Sequence, residues 1–124
     1  MPVPYRYAVI RLVPRVDREE FINIGVIVFA PELKLLDAQV KLREERVQAL
    51  WPELDRETVR RHLQTIPRIC AGEPEAGPIA KLSQKERFHW LTAPRSTMIQ
   101  VSPVRSGLSE KPENLPRDLL REYV

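Results

Sequence analysis

The chain has 124 residues, 43% hydrophobic and 30% charged, with a formal net charge of +3 and an isoelectric point near 9.3. That length suits one domain with a genuine core. No apolar run approaches the roughly 18 residues of a membrane span. The N-terminus lacks a signal-peptide pattern, and the lone Cys70 excludes an internal disulfide. A cytoplasmic setting without membrane partners is therefore expected.

Residues 5–13 read as the first strand. One face carries Tyr5, Tyr7, Val9, Arg11 and Val13, and the other Arg6, Ala8, Ile10 and Leu12. Apolar residues on both faces predict a central strand covered on two sides. Arg11 is then expected to be mostly buried and to hydrogen-bond Glu20, Asn23 or a carbonyl of residues 92–102. A polar connection leads to residues 20–30, around which the rest of the chain is organised. No charge interrupts residues 24–30, β-branched and aromatic side chains dominate, and Pro31 closes the run. These are the marks of a strand buried on both faces. Asn23 and Gly25 at its entry predict close backbone packing or a bulge. Residues 35–42 alternate Leu36, Ala38, Val40 and Leu42 with Asp37, Gln39 and Lys41. They predict a half-buried strand, antiparallel to its predecessor through the short Pro31 turn, completing a meander.

The period then becomes helical. Glu44 and Glu45 favour a short helix that Trp51-Pro52 stops. Asp55 is a good N-cap for the next helix, with Leu54 and Val59 as a hydrophobic staple. Val59, Leu63, Ile66 and Cys70 share its apolar face. Pro67 predicts a kink or an early end. Residues 71–78 read as an exposed loop. Ser83 and Glu86 form a capping box that opens a helix closed by Pro94. Residues 97–102 read as a fourth strand, residues 103–112 as loop, and Leu115, Leu119, Leu120 and Tyr123 as the apolar side of a closing helix. The sum is an α+β domain: an antiparallel sheet of about four strands with helices packed on at least one face.

Three stretches carry a family resemblance: Tyr7-Ala-Val-Ile-Arg-Leu-Val-Pro14, Glu20-Phe-Ile-Asn-Ile-Gly-Val-Ile-Val-Phe29 and Ala93-Pro-Arg-Ser-Thr-Met-Ile-Gln-Val-Ser-Pro103. With Arg87-Phe-His-Trp90 and the closing helix, the chain resembles the bacterial family catalogued as domain of unknown function 3037 over nearly its whole length. The resemblance implies no established activity. It implies genes that neighbour one for a HipA-like serine/threonine kinase, and hence a partner or regulatory role by association.

Candidate chemistry is sparse. Glu20 and Asn23 at the mouth of the central strand suit a ligand or partner contact. The plainer reading is that Asn23 secures local backbone and Glu20 pairs with Arg11 or Arg18. Arg95, Gln100 and Ser102, with Ser96, Thr97, Arg105 and Ser106, place arginines and hydroxyls where an anion would bind, against the alternative of a solvated strand between loops. No Gly-rich loop opens a helix, so a P-loop is excluded. His62, His89 and Cys70 lack zinc spacing, so neither metal nor cofactor is expected. Ser96 has no nucleophile-elbow context. Arg56, Arg60, Arg61 and Arg68 form a basic helix face suited to a nucleic-acid backbone, though Glu57 interrupts it.

With no catalytic constellation, the reading leans towards a non-enzymatic interaction or regulatory module of a bacterial cytoplasmic system, partnering a HipA-like kinase. The alternative is a nucleic-acid-binding protein using the basic helix and the Arg95 loop. A hydrolase built on the scattered carboxylates Glu19, Glu20, Asp37, Glu44 and Glu45 has the least support, and a homodimer stays open.

Overall fold

A computed structural model describes residues 1–95 and 97–124, with Val16 described by its backbone alone. The charge-free run forms β2 (Ile22–Ala30), buried from Ile24 to Ala30. Antiparallel neighbours flank it: β1 (Val3–Leu12) on one side and β3 (Leu35–Val40) on the other. The expected meander is thus the centre of a five-stranded sheet ordered β3-β2-β1-β4, where β4 spans Ile99–Val101. The fifth strand, β5 (Arg105–Ser109), pairs with β1 along the edge that β4 leaves free.

β5 lies in the stretch read as loop. Its sequence Arg-Ser-Gly-Leu-Ser has no apolar face, and what makes it a strand is the unpaired edge of β1 from Val3 to Tyr7. Gly107 is required there. A Cβ at this position would stand 2.6 Å from the Tyr5 hydroxyl oxygen, because the Tyr5 ring lies across the glycine.

The entry to β2 is both bulged and tightly packed. Ile10 pairs with Gly25, but Arg11 pairs with Asn23, so Ile24 is an extra residue on β2. Gly25 is needed for contact rather than for backbone angle. A Cβ would meet the Gln39 carbonyl oxygen at 2.7 Å and the Ile10 Cδ1 at 3.0 Å. The bulge keeps Ile24 in the main core with Ile10 and Leu12, while Asn23 falls on the opposite face.

Helices α1 (Glu44–Leu50), α2 (Arg56–Ala71) and α3 (Gln84–Leu91) cover the first face. Val47, Val59, Leu63, Ile69, Cys70, Phe88 and Leu91 pack there against Ile10, Leu12, Ile27 and Phe29. The Phe29 and Phe88 rings lie 5.1 Å apart, and the Arg6 guanidinium sits above both at 5.6 and 5.2 Å. On the second face α4 (Leu115–Tyr123) packs on β2 and β3. It lays Leu115, Leu119, Leu120 and Tyr123 against Val26, Val28, Tyr5 and Tyr7.

The helix starts follow their local signals. Asp55 accepts from the Thr58 amide at 3.2 Å, and Ser83 and Glu86 close a reciprocal capping box. The early end expected at Pro67 does not occur, because α2 continues to Ala71. Its last turn is held by burial of Ile69 and Cys70 and by Arg87, which donates to the carbonyls of Ile69 at 3.0 Å and Cys70 at 2.8 Å. Gly72 in the left-handed region completes the cap.

Candidate functional site

An open groove of about 360 Å³ runs between α2, the end of α3 and β4. Its walls are mainly Val59, Ile66, Ile69, Leu91, Met98 and Ile99. The groove exists because the apolar stripe of α2 is wider than the three-residue strand facing it, which leaves Ile66 and Met98 half-buried. Trp90, 42% exposed, stands at its mouth with His62, Thr65, Arg95 and Thr97. Among the described residues no acidic side chain lines it.

Arg95 does not extend towards an anion. Its guanidinium stacks 4.4 Å from the Trp90 ring and donates to the carbonyls of Leu91, at 3.2 Å, and Trp90. Those carbonyls end α3, so the side chain satisfies orphan acceptors and places its charge at the negative end of the helix. Burial pushes its pKa down. The effect is to fix Trp90 and one wall of the groove.

The other strand candidates also have structural partners. Gln100 donates to the Thr97 carbonyl at 2.8 Å. Ser102 is buried, and its hydroxyl accepts from the Val9 amide at 2.8 Å where the edge partner of β1 changes from β4 to β5. Glu20 pairs with Arg18 at 2.8 Å, one of its two expected partners. Asn23 donates to the carbonyl of Tyr123 at 3.1 Å, a bond to α4 rather than to local backbone.

Arg11 departs from expectation. It is half-buried, and among the described residues it makes no hydrogen bond to Glu20, Asn23 or any carbonyl; its Nε is buried and unpartnered. Its guanidinium lies 4.3 Å above the ring of the exposed Phe21. The bulge brings Asn23 opposite Arg11, where the Asn23 side chain is directed to α4 through its Nδ2 bond to the Tyr123 carbonyl, and Glu20 turns to Arg18.

The family described as Protein of unknown function (DUF3037) matches residues 7–124. The chain belongs to this family. No curated protein and no solved structure matches it.

In this DUF3037 chain most of the basic helix face is already neutralised. Arg60 donates to Glu44 at 2.9 and 2.6 Å and to Glu57 at 2.7 Å, Arg56 reaches Glu44 at 3.5 Å, and Arg68 pairs with Glu73 at 3.4 Å. Arg61 donates to the Thr58 hydroxyl at 3.3 Å. Cys70 is buried, and burial pushes its thiol up to about 12, which suits a packing residue rather than a nucleophile. Among the described residues no three of His, Cys, Asp and Glu converge as metal ligands. No described helix is long and apolar enough to cross a membrane. Ser96, weighed above as a nucleophile and an anion ligand, lies outside the described residues.

The residues sequence reasoning missed are Ile66 and Met98 as groove walls, Trp90 as its exposed aromatic, and Arg87 as the cap of α2. Trp90, at the end of a helix ahead of a proline, offered one legible signal.

Proposed function

We propose that this DUF3037 chain is a non-catalytic interaction module of a bacterial cytoplasmic system. Its groove between α2, α3 and β4 takes the apolar face of a partner helix carrying acidic flanking residues. The observation behind this reading is the groove itself. Its walls are apolar, with Ile66, Met98 and Ile99 half-buried, Trp90 is exposed beside them, and among the described residues no carboxylate lines it. A cleft of this kind admits two or three apolar side chains of a helix, the arrangement of helix-in-groove recognition. The exposed Trp90, with the half-buried Arg95 stacked on it, supplies the anchor chemistry common at interface centres. Family resemblance makes a HipA-like kinase the first partner to try, and a single buried thiol suits a reducing compartment.

The test is co-expression with such a kinase, followed by size-exclusion chromatography. Co-elution is expected, and Ile66→Glu or Met98→Glu should weaken it at least tenfold while Leu108→Asp, on β5, leaves it intact. A complex indifferent to the groove variants rejects the groove, and separate elution of the wild-type chains rejects this partner.

A further inference from the structure

On the second face α4 packs on β2 and β3 and reaches Tyr5 and Tyr7 of β1, which continues along that face through Val9 to Arg11. Pairing adds Gln100 opposite Arg11, Arg105 opposite Tyr7 and Gly107 opposite Tyr5. Val9 is buried, Tyr5, Tyr7, Arg11 and Gln100 are half-buried, and Arg105 is exposed. No residue that β1, β4 and β5 place on this face is acidic.

Arg11 is the first sign of use. A guanidinium Nε buried without an acceptor among the described residues costs stability, so hydrogen bonding within the fold does not account for the residue. Its charge has no carboxylate partner among the described residues, and its guanidinium carbon lies 4.3 Å from the centre of the Phe21 ring. Tyr5 is the second. Its ring rests across Gly107, where a Cβ would stand 2.6–2.9 Å from ring and hydroxyl atoms, so glycine backbone supports the half-buried ring. Tyr7 flanks it, ring centres 5.9 Å apart, and is itself pinned by a 2.9 Å hydroxyl bond to Tyr123. Two aromatic rings and Arg11 thus follow one another along one face of β1, with Arg105 of β5 beside Tyr7, and neither arginine has an ion-pair partner among the described residues. Tyr5 and Arg11 lie six positions apart, roughly 20 Å at about 3.3 Å per residue.

We propose that this strip binds single-stranded nucleic acid, with Arg11 and Arg105 on the backbone phosphates and Tyr5 and Phe21 stacking bases. Supported aromatic planes beside a cationic track are what sequence-tolerant single-strand binding requires. An acidic peptide would use the charges but not the ring faces. The surface lies across the sheet from the groove, so this proposal stands independently of the protein-partner reading.

Fluorescence anisotropy with 20-nucleotide oligo-dT and oligo-U, in 50 and 200 mM KCl, tests it. Binding of either strand at low salt, weakened at least tenfold at high salt, is expected; the tighter of the two identifies DNA or RNA as the source. Arg105→Gln, at an exposed position, should weaken binding at least threefold, and the Arg11→Gln/Arg105→Gln pair at least tenfold. Tyr5→Ala should lower affinity while leaving the salt dependence nearly unchanged. Arg56→Gln/Arg60→Gln should have little effect, and circular dichroism verifies the fold of each variant. Absence of binding at 50 mM KCl overturns the proposal. So does equal loss from the helix pair, or displacement by poly-glutamate as effective as by unlabelled oligonucleotide.

Discussion

Asn23 on β2 and Tyr123 at the end of α4, 100 positions apart, are joined by a 3.1 Å hydrogen bond from the Asn23 amide to the Tyr123 carbonyl. The Tyr7 hydroxyl meets the Tyr123 hydroxyl at 2.9 Å, and the Arg43 Nε donates to the Val124 carbonyl at 2.8 Å. The terminal helix is thus latched at its C-terminal turn by side chains from three separate places in the chain. Asn23 can take part because the bulge at Ile24 turns it to that face. Asn23→Ala should cost about 0.5–1.5 kcal/mol, the range for an intramolecular hydrogen bond, read as a lower urea midpoint with an unchanged slope. An unaltered midpoint would mean the bond contributes nothing.

Gly25→Ala should destabilise by roughly 1–3 kcal/mol through overpacking. The added methyl meets the Gln39 carbonyl oxygen at 2.7 Å, a backbone atom in the paired neighbouring strand that cannot rotate away. Thermal melting of the variant measures it, and a stability equal to wild type would show that β2 and β3 separate without strain.

Arg11→Met should be near neutral, within about 1 kcal/mol of wild type in either direction. The methionine keeps apolar contact with Phe21 and removes a buried Nε that has no acceptor among the described residues. Chemical denaturation decides it. A loss of about 3 kcal/mol, the range for breaking a buried pair, would show that Arg11 has a structural partner after all.

Stability should fall on the alkaline side. Burial raises the Cys70 thiol from 9.0 to about 12. The hydrogen bond to Tyr123, with burial, raises the Tyr7 phenol from 10.0 to about 12. Both groups keep their protons in the folded chain after the unfolded chain has lost them. The unfolded state therefore binds fewer protons, and stability decreases as pH rises. The contribution is complete below pH 9 for Cys70 and below pH 10 for Tyr7, and is lost as pH climbs towards 12. Urea midpoints measured from pH 8 to 11 should decline less steeply in Cys70→Ala and in Tyr7→Phe than in wild type. Parallel declines in all three would refute the assignment.

Local signals carried much of this architecture. The charge-free run from Ile24 to Ala30, the Asp55 cap and the Ser83–Glu86 capping box each act within a few residues, so composition and spacing sufficed to read them. Asn23 and Gly25 announced the irregular entry of β2 for the same reason. What the sequence could not determine depends on groups that meet only after the chain has folded. β5 is a strand because β1, about a hundred residues earlier, has an unpaired edge; the Arg-Ser-Gly-Leu-Ser segment itself carries no strand pattern. α2 passes Pro67 because Arg87, from the following helix, holds its final carbonyls. Each arginine's partner was equally hidden. A flexible guanidinium takes whichever acceptor packing leaves within reach, so Arg95 turned to the end of α3, Arg60 to Glu44 and Glu57, and Arg11 to a ring without an acceptor. Sequence periodicity assigned the faces of the sheet, and tertiary packing decided which charged groups on them found partners.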